Sequence, residues 1–171
     1  MDSLVESMIK KRLCLPVDIT LHDIVSGEYK SIIKHDISHV ACLFKKKGSK
    51  INVVSYGYNN HNNMHIKCST HAEKSAIDNI KIQKSYIKAL DLIVVRTSPT
   101  GKIGSSKPCV KCLIDLCRLP KKKNYYIRDV YYSDERGEIQ CKSLIQLIED
   151  GDFHLTQFYA NNNFEYKKWF K

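Results

Sequence analysis

No stretch of this 171-residue chain approaches the ~20 consecutive apolar residues of a membrane-spanning helix, so no membrane partner is expected. The start, Met1-Asp2-Ser3-Leu4-Val5-Glu6, lacks a basic segment followed by an apolar one, and no secretory leader is expected. No repeat and no internal linker breaks the chain, which leaves one domain of ordinary size. Arginine is scarce, five residues against 23 lysines. Groups that read bases and phosphates favour the planar guanidinium fork, so the formal charge of +10 is weak ground for a polymer partner. The lysines come with much Ile, Asn and Tyr, the residues AT-rich codons encode, and we read part of the basicity as coding bias. The densest clusters, Lys45-Lys46-Lys47 and Lys121-Lys122-Lys123, fall at expected turns, where solvated lysine is the ordinary case. Cysteine is present, but a disulfide framework is not indicated. Seven is an odd number, and without an export signal it fits free thiols in a reducing, cytoplasmic compartment.

The pattern along the chain predicts strands interleaved with helices. Residues 1–37 read as a helical segment packed on the core: Leu4, Val5, Met8 and Ile9 fall at helical spacing, and Pro16 precedes a weaker stretch from Asp18 to Lys34. Residues 38–171 read as the main body of the domain. Val40, Cys42 and Phe44 alternate with Ala41 and Leu43, Gly48 marks a turn, and Ile51 to Tyr58 form the return strand. A polar loop, Asn59 to Ser69, leads to a helix starting at Thr70, with Ala72, Ala76, Ile77 and Ile80 on its buried face. Leu90 to Arg96, nearly all apolar, suits a strand covered on both faces. Pro108 stands where the first turn of a helix tolerates proline, and Pro120 ends that helix. Tyr126–Tyr132 and Gly137–Cys141 read as a hairpin, and Ser143–Asp150 as a short helix.

Two motifs carry chemistry. His71-Ala72-Glu73 is followed, 34 residues on, by Pro108-Cys109-Val110-Lys111-Cys112. Zinc takes four tetrahedral ligands, and a catalytic site leaves one position to water. His71, Cys109 and Cys112 supply three. The i, i+3 spacing of the cysteines puts both sulfurs on one helical face, and a helix N-terminus favours thiolate over thiol. Glu73, two residues past the histidine, suits a carboxylate that takes a proton from water acidified by the metal. Alone, Thr70-x-x-Glu73 is also a capping box, and a lone Cys-x-x-Cys also fits structural zinc or a redox pair. Each motif opens a predicted helix after a strand and a loop, and that shared context makes the pair far more specific than either half.

This His-x-Glu…Pro-Cys-x-x-Cys pattern resembles the cytidine deaminase-like zinc hydrolases, over roughly residues 38 to 141. The resemblance implies a three-layer α/β/α fold with a mixed five-stranded sheet, its last two strands an antiparallel hairpin. It implies one Zn2+ on His71, Cys109 and Cys112, with Glu73 as the catalytic proton shuttle. Gly57-Tyr58-Asn59 resembles the family's Gly-x-Asn, which makes Asn59 a substrate contact; the Ala72 N–H and the Lys107 carbonyl would meet the base and its departing amino group. The implied activity is hydrolytic deamination of a cytosine-type base in a free nucleoside or nucleotide, with a homo-oligomer as a common assembly. The alternative substrate is cytosine or adenine within RNA or single-stranded DNA, supported by charge and by the aromatic tail. A third reading is a non-catalytic zinc-stabilised interaction module. Ser105-Ser106-Lys107-Pro108 departs from the segments typical of the tRNA adenosine and polynucleotide cytidine deaminases and lacks the latter's tryptophan.

Other conspicuous residues have blander readings. His61, His65 and Cys68 fit no common ligand spacing and read as a loop bordering the pocket. Cys14, Cys42, Cys117 and Cys141 read as small core residues. Phe158, Tyr159, Phe164, Tyr166, Trp169 and Phe170 read as a tail packed over the sheet, with stacking on single-stranded bases as the alternative.

Overall fold

The computed structural model describes residues 38–47, 50–59, 70–98, 102–151 and 153–155. The expected N-terminal helical segment, the histidine-bearing loop and the aromatic tail from residue 156 lie outside the described residues. The alternating run beyond Ser38 forms strand β1 (Ser38–Lys47), which pairs antiparallel with β2 (Lys50–Tyr58). On its other side β1 meets β3 (Lys88–Thr97), again antiparallel. The two-residue β4 (Ile103–Gly104) folds back on the end of β3. Strand β5 (Tyr125–Ser133) runs parallel to β3, and β6 (Ile139–Ser143) returns antiparallel to β5. The order is β2-β1-β3-β5-β6 with β4 beside β3, a mixed sheet whose last two strands are the expected hairpin.

β3 is covered on both faces, as its apolar run requires. Leu90, Leu92 and Val94 join one core and Ile93 and Val95 the other. Asp91 interrupts the run and is 1% exposed. A carboxylate tolerates such burial only when paired, and the Arg128 guanidinium grips it with Nε at 3.1 Å and Nη2 at 2.7 Å. The grip depends on an irregularity: Leu90 faces Ile127 but Leu92 faces Val130, so β5 carries one extra residue beside Asp91.

Among the described residues, three α-helices share one face of the sheet: α1 (Ala72–Asp78), α2 (Val110–Arg118) and α3 (Leu144–Glu149). Their Ala76, Ile77, Leu113, Leu116, Leu144 and Leu147 pack with Ala41, Leu43, Leu92 and Val130 in one core. On the opposite face lie Cys42, Phe44, Ile93, Val95, Tyr131 and Ile139, a cluster to which no described helix contributes. The described residues therefore form two layers, and the expected three-layer arrangement is not seen among them. No described helix is long and apolar enough to cross a membrane.

Three local expectations are corrected. Helix α1 begins at Ala72 with His71 as N-cap and no side-chain cap, so Thr70 does not form a capping box with Glu73. Pro108 lies before the N-cap Cys109 of α2, outside the helix, and sets up its entry. Cys141 is exposed, because β6 is the edge of the described sheet, whereas Cys42 is buried. The capping box forms instead at α3, between Ser143 and Gln146.

Candidate metal centre

Strands β2 and β3 run the same way, and α1 and α2 both start beyond their carboxyl ends. That is where open α/β sheets gather ligands. Helix α1 lies directly on β2 because Gly57 leaves it room: a Cβ there would sit 2.0 Å from Ala76 N and 2.4 Å from Ala72 O. Two hydrogen bonds fix the contact, Ser55 Oγ to Ala76 O at 2.8 Å and Asn79 Nδ2 to Tyr56 O at 2.8 Å. His71 and Glu73 are thus carried on a helix start that cannot drift from the sheet.

The segment leading to Cys109 is held by a buried serine clasp. Ser106 Oγ donates to Val94 O at 2.7 Å and accepts from Ser133 N at 2.8 Å. The two serine hydroxyls are 2.7 Å apart, and Ser133 Oγ donates to Gly104 O at 2.6 Å. Ser106 N also donates to Ser133 O at 2.8 Å. The clasp ties the residues before Pro108 to the ends of β3 and β5. Beyond α3 the chain returns, and the His154 carbonyl accepts from Val110 N at 3.0 Å, satisfying a first-turn amide of α2 that has no intrahelical partner.

These supports bring the three predicted ligands together. His71 Nδ1 is 3.1 Å from Cys112 Sγ and 3.6 Å from Cys109 Sγ, and the two sulfurs are 3.6 Å apart. All three atoms lie within 4.8 Å of one another. Tetrahedral zinc with Zn–S near 2.3 Å and Zn–N near 2.0 Å would space sulfurs by roughly 3.8 Å and sulfur from nitrogen by roughly 3.5 Å. The observed triangle is close to that spacing, so the residues fit a metal ion of this kind.

The electrostatics agree with the donor set. Cys109 is lowered to about 4, chiefly because its thiolate accepts a hydrogen bond from Cys112, with the His71 ring adding to the effect. Cys112 is pushed well above the ordinary thiol value, first by that same hydrogen bond and then by burial. His71 is raised, mainly by its hydrogen bond to Cys109. Without a cation the pair keeps one proton; a cation of charge two gives both sulfurs reason to ionise. Glu73 is 6% exposed. Burial raises its carboxyl above the ordinary range, opposed mainly by its own backbone N–H. No lysine or arginine among the described residues pairs with it.

The other expected site residues lie at the same end of the sheet. Asn59 immediately follows β2, where its Oδ1 accepts from His39 N at 2.8 Å and its own N–H donates to His39 O at 3.2 Å. Ala72 is the first residue of α1 and fully buried, and Lys107 is half-buried between Ser106 and Pro108. Sequence reasoning missed the close approach at Gly57, the Ser106–Ser133 clasp and the carbonyl of His154. Only a Gly on a strand gave any advance signal, as a place where another backbone comes near.

No family model matches the chain, and no curated protein matches it. Among solved structures it is similar to a dCMP deaminase from the cyanophage S-TIM5, determined in apo form. The two share 13% identity over 91% of this chain and 98% of that one, with a TM-score of 0.39. A likeness at that level carries no functional inference; the chain's own residues carry it.

Proposed function

We propose that the chain is a zinc-dependent hydrolytic deaminase that converts a cytosine-type base of a free nucleoside or nucleotide to the uracil form and ammonia. The observation that carries this reading is a triangle of three metal-donor groups with a buried carboxylate, unpaired with lysine or arginine among the described residues, two residues from its histidine. His71, Cys109 and Cys112 would hold the zinc. When bound, zinc supplies the Lewis acidity that makes water a nucleophile near neutral pH.

Glu73 is the group that moves protons. Its burial-raised carboxyl holds a proton more readily than an exposed carboxylate, which suits a group that accepts a proton and returns it. As a water oxygen bonds to C4, Glu73 takes a proton and delivers it to N3. The proton left on the new C4 hydroxyl then passes to the exocyclic amine; the C4 carbonyl forms as the C4–N bond breaks, and ammonia leaves with the bonding pair. The Ala72 N–H, in the first turn of α1, has no intrahelical acceptor and is the donor proposed to face the base. The Lys107 carbonyl is the proposed acceptor for the amino group, its position fixed by the Ser106 clasp. Asn59 is the proposed contact to sugar or base.

The test is an ammonia-release panel of free nucleosides, nucleotides and oligonucleotides, with metal analysis on the same sample. A single zinc per chain and release from cytidine, deoxycytidine or dCMP is expected. Release from oligonucleotides alone would move the substrate to a polymer. Zinc without release from any substrate would leave a non-catalytic zinc module.

A further inference from the structure

We propose that the end of the sheet opposite the metal centre is a binding surface for single-stranded nucleic acid, gripped through its phosphates without regard to sequence. The two lysine triplets, which look like unrelated solvated turns, converge there. The Lys45 ammonium lies 5.2 Å from the centre of the Tyr125 ring, two residues past Lys123. Lys123 Nζ donates to Asp78 O at 2.7 Å and Ile80 O at 2.8 Å, which joins the second triplet to the segment after α1. Backbone bonds complete the junction: Gln83 N to Lys123 O and Lys88 N to Asn124 O, both at 3.1 Å.

Residues 44–52, 79–90 and 119–127 contain ten lysines and no Asp or Glu. A coding bias toward lysine would scatter charge over the surface. Away from this end, Lys111 and Lys142 each pair with a carboxylate, and at its border Lys74 takes up the carboxylate of Asp78. At this end the exposed Lys47, Lys81, Lys84, Lys121 and Lys122 pair with none among the described residues. Like charges crowd there: burial, then the nearby Lys88, lower the Lys45 ammonium below its ordinary value. A phosphate chain relieves that crowding and releases its own counterions.

Exposed flat rings accompany the charge. Tyr86 is 75% exposed, with the Lys88 ammonium 5.1 Å from the centre of its ring, and Tyr126, opposite Ala89 in the β3–β5 register, is 45% exposed. Ile82 and Ile87, on the same segment as Tyr86, are exposed as well. Rings among lysines are what sequence-tolerant stacking of single-stranded bases uses. Lysine rather than arginine at these positions suits point-charge contact to phosphate without base reading. An anionic membrane fits less well, because Lys81–Ile87 is neither helix nor strand and its irregular backbone is costly to place in lipid. The surface is separate from the metal centre: β1 runs between the two ends, a span of roughly 30 Å.

Fluorescence anisotropy of the full, zinc-loaded chain with a single-stranded DNA oligonucleotide and an RNA of equal length tests the proposal. Binding to both is expected, with a log–log salt slope of about −3.5 for roughly five phosphate contacts. Lys81→Glu/Lys84→Glu and Lys121→Glu/Lys122→Glu should each weaken binding at least tenfold and flatten the slope. The charge-matched Lys102→Glu/Lys142→Glu should change it less than threefold. Tyr86→Ser should weaken binding about fivefold at an unchanged slope, and all these variants should keep the parent's turnover of free nucleotide. No binding at low salt, equal loss in the control double, or capture by phosphatidylserine-containing vesicles with no oligonucleotide binding would overturn it. The binding readouts do not depend on deamination, so they stand or fall apart from the proposed activity.

Discussion

Gly57→Ala is the perturbation that most directly tests how the site is built. The added Cβ would lie 2.0 Å from Ala76 N, 2.4 Å from Ala72 O and 2.7 Å from Ala76 Cα, all backbone atoms that no rotamer change can move aside. Ordinary contact begins near 3.4 Å, so α1 must retreat from β2 by about 1.4 Å. Such a shift stretches the 2.8 Å bonds Ser55–Ala76 and Asn79–Tyr56 past useful length. Overpacking costs about 1–3 kcal/mol and each of the two lost hydrogen bonds about 1 kcal/mol, which together give roughly 3–5 kcal/mol. The same shift carries His71 and Glu73 away from Cys109 and Cys112, and a misplacement near 1 Å costs about 100-fold in rate. Urea unfolding, zinc content and turnover should all fall together. Gly104→Ala is the control: its Cβ would meet only the flexible Arg96 side chain, at 3.6 Å, so a change within about 0.5 kcal/mol is expected. Parental stability and full zinc in Gly57→Ala would refute the packing argument.

Three further outcomes follow from the same structure. Ser106→Ala strips buried Val94 O and Ser133 N of a partner and should cost about 2 kcal/mol with weaker zinc retention; an unchanged urea midpoint and zinc affinity would contradict the clasp. Arg128→Met leaves the Asp91 carboxylate buried and alone and should cost about 2 kcal/mol, at the lower end because Arg128 is half exposed, while Arg128→Met/Asp91→Asn should regain at least half of that on urea curves. In metal-free protein, Cys109, lowered to about 4, is ionised throughout the neutral range. Its alkylation by iodoacetamide should therefore be nearly flat from about pH 6 to 8, where an ordinary thiol accelerates about tenfold per unit. A steep rise, or no protection on reloading zinc, would contradict the assignment.

The legible part of this protein was what chemistry forces into short range. An imidazole, a carboxylate and two thiols at helix starts are recognisable because ligand spacing is local, and His71, Cys109 and Cys112 do meet. The hairpins and the apolar run of β3 follow from period and burial, and both appear. What stayed hidden depends on partners distant in the chain. Nothing near Gly57 says that the backbone of Ala76 lies against it, and nothing near Ser106 announces Ser133, 27 residues on. Thr70 matched a capping box, yet the helix starts two residues later. The lysine triplets looked like separate turns until β1, β3 and β5 laid their ends side by side.

The most direct test of the proposed chemistry is zinc content and ammonia release measured together on Glu73→Gln. The side chain keeps its size and loses its capacity to carry a proton, so zinc should remain at the parental level while turnover falls at least about 100-fold. Full turnover in that variant would contradict the role given to Glu73. Loss of zinc together with activity would reassign Glu73 to holding the metal centre in shape.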